Sequence, residues 1–108
     1  MKTAIVFFYV TFPNEKSAQK IAKIMLKKKL IACANIFPKI KSVYIWNKKI
    51  TSNSECICIF KTEQKLCKKL EIELKKTHPY SVPCLAQIKL NGLNQAYKKW
   101  LMGTFEPQ

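Results

Sequence analysis

The sequence contains no arginine and no aspartate, and both absences exclude classes of function. Arginine grips phosphate with a planar fork and stacks on bases, so a dedicated nucleic-acid-binding protein without it would be unusual. Without aspartate there is no aspartyl-phosphate chemistry, no aspartate-based Mg²⁺ site and no triad completed by aspartate. The 2 glycines cannot build a glycine-rich phosphate loop, and the single histidine cannot form a multi-histidine metal site within one chain.

Lysine and glutamate carry all of the charge, 20 Lys against 6 Glu in 108 residues, which gives a formal net charge of +14. Such a charge usually suggests nucleic acid or an anionic membrane as partner. Because every basic residue is lysine, we interpret the charge as a solvated surface and expect neither partner. The length fits a single domain, residues 1–108, with 48% apolar residues to fill its core.

No apolar run approaches the roughly 20 residues that cross a bilayer. The longest, residues 4–10, is too short and is followed by no cleavage site, so we expect no targeting signal. The 5 cysteines are odd in number and form no C-x-x-C pair, which favours reduced thiols in the cytoplasm. Cys56 and Cys58 share one strand face, and we interpret them as core residues rather than as a soft-metal pair.

Apolar periodicities predict the order strand, helix, strand, strand, helix, strand, helix. The predicted ranges are strand 3–11, helix 15–29 capped by Asn14, strand 32–46, turn 47–49, strand 50–61, a helix from a cap at Thr62 to Thr77, strand 83–90 and helix 94–102. This is the ferredoxin-like βαββαβ order, an α+β sandwich, with a long hairpin between the second and third strands and a C-terminal helix. The hairpin is apolar on both faces, which predicts an oligomer.

Two polar features stand out in this framework. His78-Pro79-Tyr80 follows the second predicted helix, and the histidine either helps to end that helix or contacts a ligand. Glu55 lies in an apolar strand, and Lys61, six residues later, projects from the same face. Because a buried lone carboxylate is costly, this spacing indicates a Glu55–Lys61 ion pair, within the protomer or at an interface.

Five short motifs, in order and spacing, resemble those of the CutA divalent-cation tolerance family. They are A-C-x-N within Leu30–Ile36, S-x-Y-x-W at Ser42–Trp46, E-x5-K-T from Glu55 to Thr62, H-P-Y-x-x-P at His78–Pro83 and Y-x-x-W at Tyr97–Trp100. Each motif is weak alone. Together they extend over residues 3–102, which makes the resemblance specific.

The resemblance implies a tight homotrimer, similar in shape to PII-like signalling proteins, whose hairpins pair between subunits. It implies ligand-binding residues in the inter-subunit clefts at Cys33, Asn35, Trp46, Glu55, Lys61 and Tyr80, and metal ligands at His78 and Cys33. The implied ligand is copper, another divalent metal ion or a small molecule. With the reduced cysteines and no targeting signal, we expect a cytoplasmic protein that is not an enzyme. Val10 and Thr77 occupy positions where copper-binding bacterial members have cysteine and histidine, so fewer ligands remain here. Lys48 replaces the family's usual glycine in the hairpin turn, so we expect Asn47 at positive φ.

Other functions stay open on the residues alone. Cys33 or Glu55 could act with His78 on a small substrate, although no motif names a reaction. An RNA-binding sheet would share this strand order, but the aromatic motif of RNA-recognition modules is absent from residues 55–61. A stable trimer that anchors another protein, or a PII-like signalling trimer without a metal site, is the remaining alternative.

Overall fold

The computed structural model describes residues 4–105, which form four strands and three α-helices. In chain order they are β1 (Ile5–Phe12), α1 (Glu15–Lys27), β2 (Cys33–Trp46), β3 (Lys49–Glu63), α2 (Cys67–Thr77), β4 (Leu85–Lys89) and α3 (Gln95–Gly103), with a 3₁₀ turn at Gln64–Leu66 before α2. The predicted element order is confirmed. The first predicted strand also included Thr3, which lies outside the described residues.

The four strands form one antiparallel sheet in the order β2-β3-β1-β4. This is the strand order of the ferredoxin-like fold, so the predicted fold class is confirmed. Strands β2 and β3 run well beyond the end of β1. Of the residues of β3, only Cys56 to Glu63 pair with β1. The free end of the hairpin therefore projects from the domain, whose longest dimension is 49 Å.

Alternation along the strands separates the two faces of the sheet. On β1 and β3 the even-numbered residues, such as Phe8 and Phe60, pack under α1 and α2 in the main core. The odd-numbered residues point to the opposite face, where α3 covers one end. There Leu101 is completely buried and packs with Ile5 and Ala32. No helix within residues 4–105 is both long and apolar enough to cross a membrane.

Hydrogen bonds cap both ends of α1, and only the N-terminal cap was predicted from the sequence. The side chain of Asn14 accepts a hydrogen bond from the Ser17 N–H at 2.8 Å, which confirms the predicted N-cap. At the other end, Lys29 N–H donates to the Leu26 carbonyl and Leu30 N–H to the Met25 carbonyl. This pair of hydrogen bonds is a Schellman motif, with Lys29 at φ 56°. The helix α1 therefore ends at Lys27, two residues before the predicted end.

The hairpin turn places two residues in the left-handed region, Asn47 at φ 51° and Lys48 at φ 65°. The expectation of positive φ at Asn47 is therefore confirmed. Two consecutive residues at positive φ are typical of the type I′ turn, whose twist matches that of paired strands. Lysine is strained at such a position, because its Cβ crowds the following carbonyl oxygen.

The prediction that Thr62 caps the second helix is wrong. Thr62 is a completely buried residue of β3, and its hydroxyl donates to the Leu30 carbonyl at 2.7 Å. The chain continues as a strand through Glu63, and α2 begins only at Cys67. The hydroxyl thus satisfies a carbonyl in the connection after α1, where sequence spacing alone suggested a local cap.

Candidate functional site

Glu55 is the polar centre of the region where the loop after α2 meets the hairpin. Its carboxylate is half-buried and accepts two short hydrogen bonds. The Ser42 hydroxyl of β2 donates to Oε1 at 2.6 Å, and the Tyr80 hydroxyl donates to Oε2 at 2.6 Å. Burial, followed by the bond to Glu55 and its negative charge, raises the pKa of Tyr80, so the phenol stays protonated and remains a donor.

His78 is buried at the end of α2, and both of its ring nitrogens are in hydrogen bonds. Nε2 lies 2.8 Å from the Thr11 carbonyl oxygen, and Nδ1 accepts the Tyr80 N–H at 3.0 Å. The ring also stacks on Phe12 with centroids 4.6 Å apart. These contacts assign the proton to Nε2, and burial lowers the pKa of the imidazole despite opposing effects of Thr11 and Glu55.

Lys61 does not pair with Glu55 within the protomer. Of the two predicted forms of this ion pair, the one within a single protomer is therefore wrong. Its ammonium forms no ion pair with a carboxylate among residues 4–105 and instead donates to the Tyr97 hydroxyl at 2.9 Å. The same ammonium lies 5.2 Å from the centroid of the Phe7 ring. Six residues of extended strand separate Glu55 from Lys61 by roughly 20 Å, so a shared face does not bring them into contact.

Cys33 and Asn35 lie at the start of β2, near Lys61 rather than near His78. Cys33 lies directly opposite Lys61, which pairs on its other side with Phe7 of β1. His78 contacts Thr11, which lies four residues farther along β1 than Phe7. That offset is about 13 Å along the strand. The topology therefore keeps Cys33 and His78 of one protomer apart, and a metal site that uses both stays a prediction about the assembled trimer. Within residues 4–105 no three potential metal ligands of the His, Cys, Asp or Glu type cluster together.

Cys56 and Cys58 are completely buried on the face that packs under the helices, which confirms their interpretation as core residues. Burial, with smaller effects of Cys56 and Cys33, raises the pKa of the Cys58 thiol to about 12. A thiol with so high a pKa is neither a nucleophile nor a ready metal ligand at neutral pH. All five cysteines are free thiols, of which Cys84 is exposed and Cys33 half-buried.

A groove of about 700 Å³ opens beside Glu55, between the hairpin and the loop after α2. It is lined by Tyr44, Trp46, Asn53, Glu55, Pro79, Tyr80, Ser81 and Val82. Three of the predicted site residues, Trp46, Glu55 and Tyr80, therefore share this groove, while Cys33 and Lys61 lie together elsewhere. Sequence reasoning did not assign a role to Ser42 or Tyr44. The alternation that puts both on the same strand face as Trp46 was the available signal.

These features define a ferredoxin-like protein with an extended hairpin and a polar groove alongside that hairpin. A crystal structure of CutA1 from Ehrlichia chaffeensis has this architecture, with a TM-score of 0.94 and 34% identity over 99% of this chain and 100% of that one. CutA1 from Oryza sativa matches with a TM-score of 0.88 and 33% identity over 97% and 96% of the two chains.

The sequence comparisons agree with the structural ones. The model of the family described as CutA1 divalent ion tolerance protein matches residues 6–104. The divalent-cation tolerance protein CutA of Pyrococcus horikoshii is 39% identical over 91% of this chain and 95% of its own length. The chain belongs to the CutA1 divalent ion tolerance family.

Relatives also correct the predicted cytoplasmic location. The Arabidopsis thaliana relative, 38% identical over 89% of this chain, is named chloroplastic, and this chain spans only 53% of its length. A solved relative from Archaeoglobus fulgidus, 36% identical with a TM-score of 0.87 over 94% of this chain and 99% of that one, is described as periplasmic. Reduced cysteines and family membership therefore do not place a protein of this kind in the cytoplasm.

Proposed function

We propose that the protein is a homotrimeric, non-enzymatic divalent-ion tolerance protein that binds copper, another divalent metal ion or a small ligand between its subunits. Family membership supports divalent-ion tolerance. The Pyrococcus horikoshii relative is described as a divalent-cation tolerance protein, and its name specifies no reaction. The occupied nitrogens of His78 also support a non-enzymatic role, because they leave no free imidazole to activate a nucleophile.

The observation that carries the oligomeric part of the proposal is the exposure of the hairpin. Ile50 is 82% exposed and Ile45, its cross-strand partner, 73%, while Trp46 on the other face is 64% exposed. Large apolar side chains on both faces of a projecting ribbon favour burial against another surface. Further copies of the same chain, each with the same hairpin, provide such a surface in a closed symmetric assembly.

Light scattering coupled to size exclusion tests the assembly. We expect three times the mass of one chain for the natural protein and one chain mass for Ile50→Glu, because a charge would then have to be buried in the interface. Ile72→Glu is the matched control, since Ile72 is exposed on α2, away from the hairpin. A monomeric natural protein, or equal dissociation by both substitutions, would contradict the proposed interface.

The ligands that one protomer offers support a metal site between subunits rather than within one protomer. Within its described residues there is no cluster of three or more potential ligands, and borderline ions such as Zn²⁺ take three or four. Cys33, a predicted metal ligand, is half-buried and pairs with Lys61 across the strands. Three symmetry-related copies could supply several such groups, whereas His78 would first have to give up a hydrogen bond.

Anaerobic calorimetry with Cu⁺, Cu²⁺ and Zn²⁺ tests the metal part of the proposal. We expect binding by the natural protein and a loss of at least about tenfold in affinity for Cys33→Ser, since a hydroxyl is a poor ligand for soft ions. Cys84→Ser is the control, because Cys84 is exposed outside the strands. No binding by the natural protein would overturn metal binding, and equal binding by both variants would remove Cys33 from the site.

A further inference from the structure

Glu55 is a half-buried carboxylate that, within residues 4–105, contacts only neutral donors. Its two oxygens accept from the hydroxyls of Ser42 and Tyr80, and the ion pairs in the described part of the chain use Glu63 and Glu73 instead. The sequence has 20 lysines, but none of those within residues 4–105 forms an ion pair with this carboxylate. Its negative charge is therefore available to a cation from outside the protomer.

The side chains around Glu55 select the kind of cation. Tyr44, Trp46 and Tyr80 line the same groove of about 700 Å³ as the carboxylate, so the groove offers three aromatic rings along its length and one negative charge. The faces of aromatic rings attract ammonium groups, most strongly when those groups are partly removed from water. Tyr80 is held in place because its hydroxyl is bonded to Glu55 and its N–H to His78.

A divalent metal ion fits this groove less well. Hard ions such as Ca²⁺ and Mg²⁺ require about six or more oxygen ligands, usually with several carboxylates. Among the described residues, Glu55 is the only carboxylate that lines the groove. Both of its oxygens already accept a hydrogen bond at 2.6 Å. An organic cation needs no closed coordination shell and can use the rings and the carboxylate together.

We propose that the groove of Glu55, Tyr44, Trp46 and Tyr80 is a binding site for an alkylammonium group. This inference rests on the proposed function in one respect, that the protein binds a small ligand, and it names the chemical class of that ligand. The ammonium comes either from a free small amine or from a lysine side chain of a second copy of the chain. The chemistry of recognition is the same in both cases.

Titration of the full-length protein with n-butylammonium chloride tests the free-amine source. The chain has 2 tryptophans, so the indole N–H signals of Trp46 and Trp100 can be followed separately by NMR. We expect a saturable shift of Trp46 only, no such shift with the neutral isostere n-butanol, and affinity for butylammonium at least about tenfold weaker in Glu55→Gln. Glu71→Gln, which removes a carboxylate from α2, should bind as the natural protein does.

Urea-induced dissociation at fixed protein concentration tests the second source. A lysine of another copy would fill the groove and block butylammonium, and Glu55→Gln would then weaken subunit association at least about tenfold relative to Glu71→Gln. Either result supports the site and identifies the source. The inference is overturned if butylammonium does not bind and Glu55→Gln associates like Glu71→Gln. A monomer that binds butylammonium would support this site while contradicting the proposed trimer, so the two failures are distinguishable.

Discussion

The Tyr80 hydroxyl donates to Glu55 Oε2 at 2.6 Å and so joins the loop after α2 to the projecting hairpin. The two residues are 25 positions apart in the sequence. Because Tyr80 is also bonded through its N–H to His78, which in turn contacts Thr11, a continuous set of hydrogen bonds connects β1, the loop and β3. The orientation of the groove therefore depends on these side chains as much as on the sheet.

Replacing Tyr80 by phenylalanine should lower the free energy of unfolding by about 1 kcal/mol. The substitution removes one hydrogen bond to a charged group, while partial exposure lets water replace some of it. Urea denaturation at fixed protein concentration measures the change. Tyr44→Phe is the matched control in the same groove, and an equal loss in the two variants would show that the Glu55 contact contributes nothing specific.

The stability of the protein should fall as the pH drops below about 6.5, the usual pKa of histidine. Burial lowers the pKa of His78 in the folded state, so below pH 6.5 the unfolded chain takes up a proton that the folded chain does not. The stabilising contribution is thus fully present above 6.5 and is lost as the pH falls through the lower folded pKa. Protonation also turns Nδ1 into a donor facing the Tyr80 N–H.

Denaturation curves between pH 8 and 5 test this dependence against His78→Phe, which retains an aromatic ring on Phe12 and cannot titrate. His78 is the only histidine in the chain, so the difference between the two proteins isolates its proton. Parallel curves for both proteins over this range would contradict the lowered pKa.

Glycine at either of two left-handed lysines should stabilise the protein by about 0.5 to 1 kcal/mol. Lys29 and Lys48 have φ of 56° and 65°, where a Cβ costs about 1 to 2 kcal/mol, and the greater freedom of unfolded glycine offsets part of the gain. Lys23→Gly is the control within α1 and should destabilise by about 1 kcal/mol. Thermal and urea denaturation report the signs, and destabilisation by all three substitutions would refute the argument.

Alkylation of the native protein should distinguish its cysteines by position. Iodoacetamide should label exposed Cys84 quickly and half-buried Cys33 more slowly, while Cys56, Cys58 and Cys67 react only after unfolding. Burial raises the pKa of all three buried thiols, that of Cys58 to about 12. Mass spectrometry of peptides at successive times measures the order, and early labelling of Cys58 would contradict the packing of the core.

Local chemistry made much of the fold predictable. The capping side chain of Asn14, the helix end before Pro79 and the turn at Asn47 depend on neighbours within a few residues, and each lies where the sequence indicated. The prediction for Thr62 was wrong because it assumed a local partner, whereas its hydroxyl bonds the Leu30 carbonyl, 32 positions away. A spacing that suits a local cap equally suits a buried strand residue whose hydroxyl bonds across the core.

By itself the sequence determined the class of the protein: alternating and helical periodicities specify βαββαβ, and ordered motifs indicate the family. Tertiary structure alone decided how the site residues are grouped. Glu55 and Lys61 share a strand face, yet one bonds Tyr80 and the other Tyr97, because each side chain reaches only a few ångströms while six strand residues span roughly 20 Å. Periodicity records which face a side chain occupies, and only the packed chain determines which distant partner lies against it.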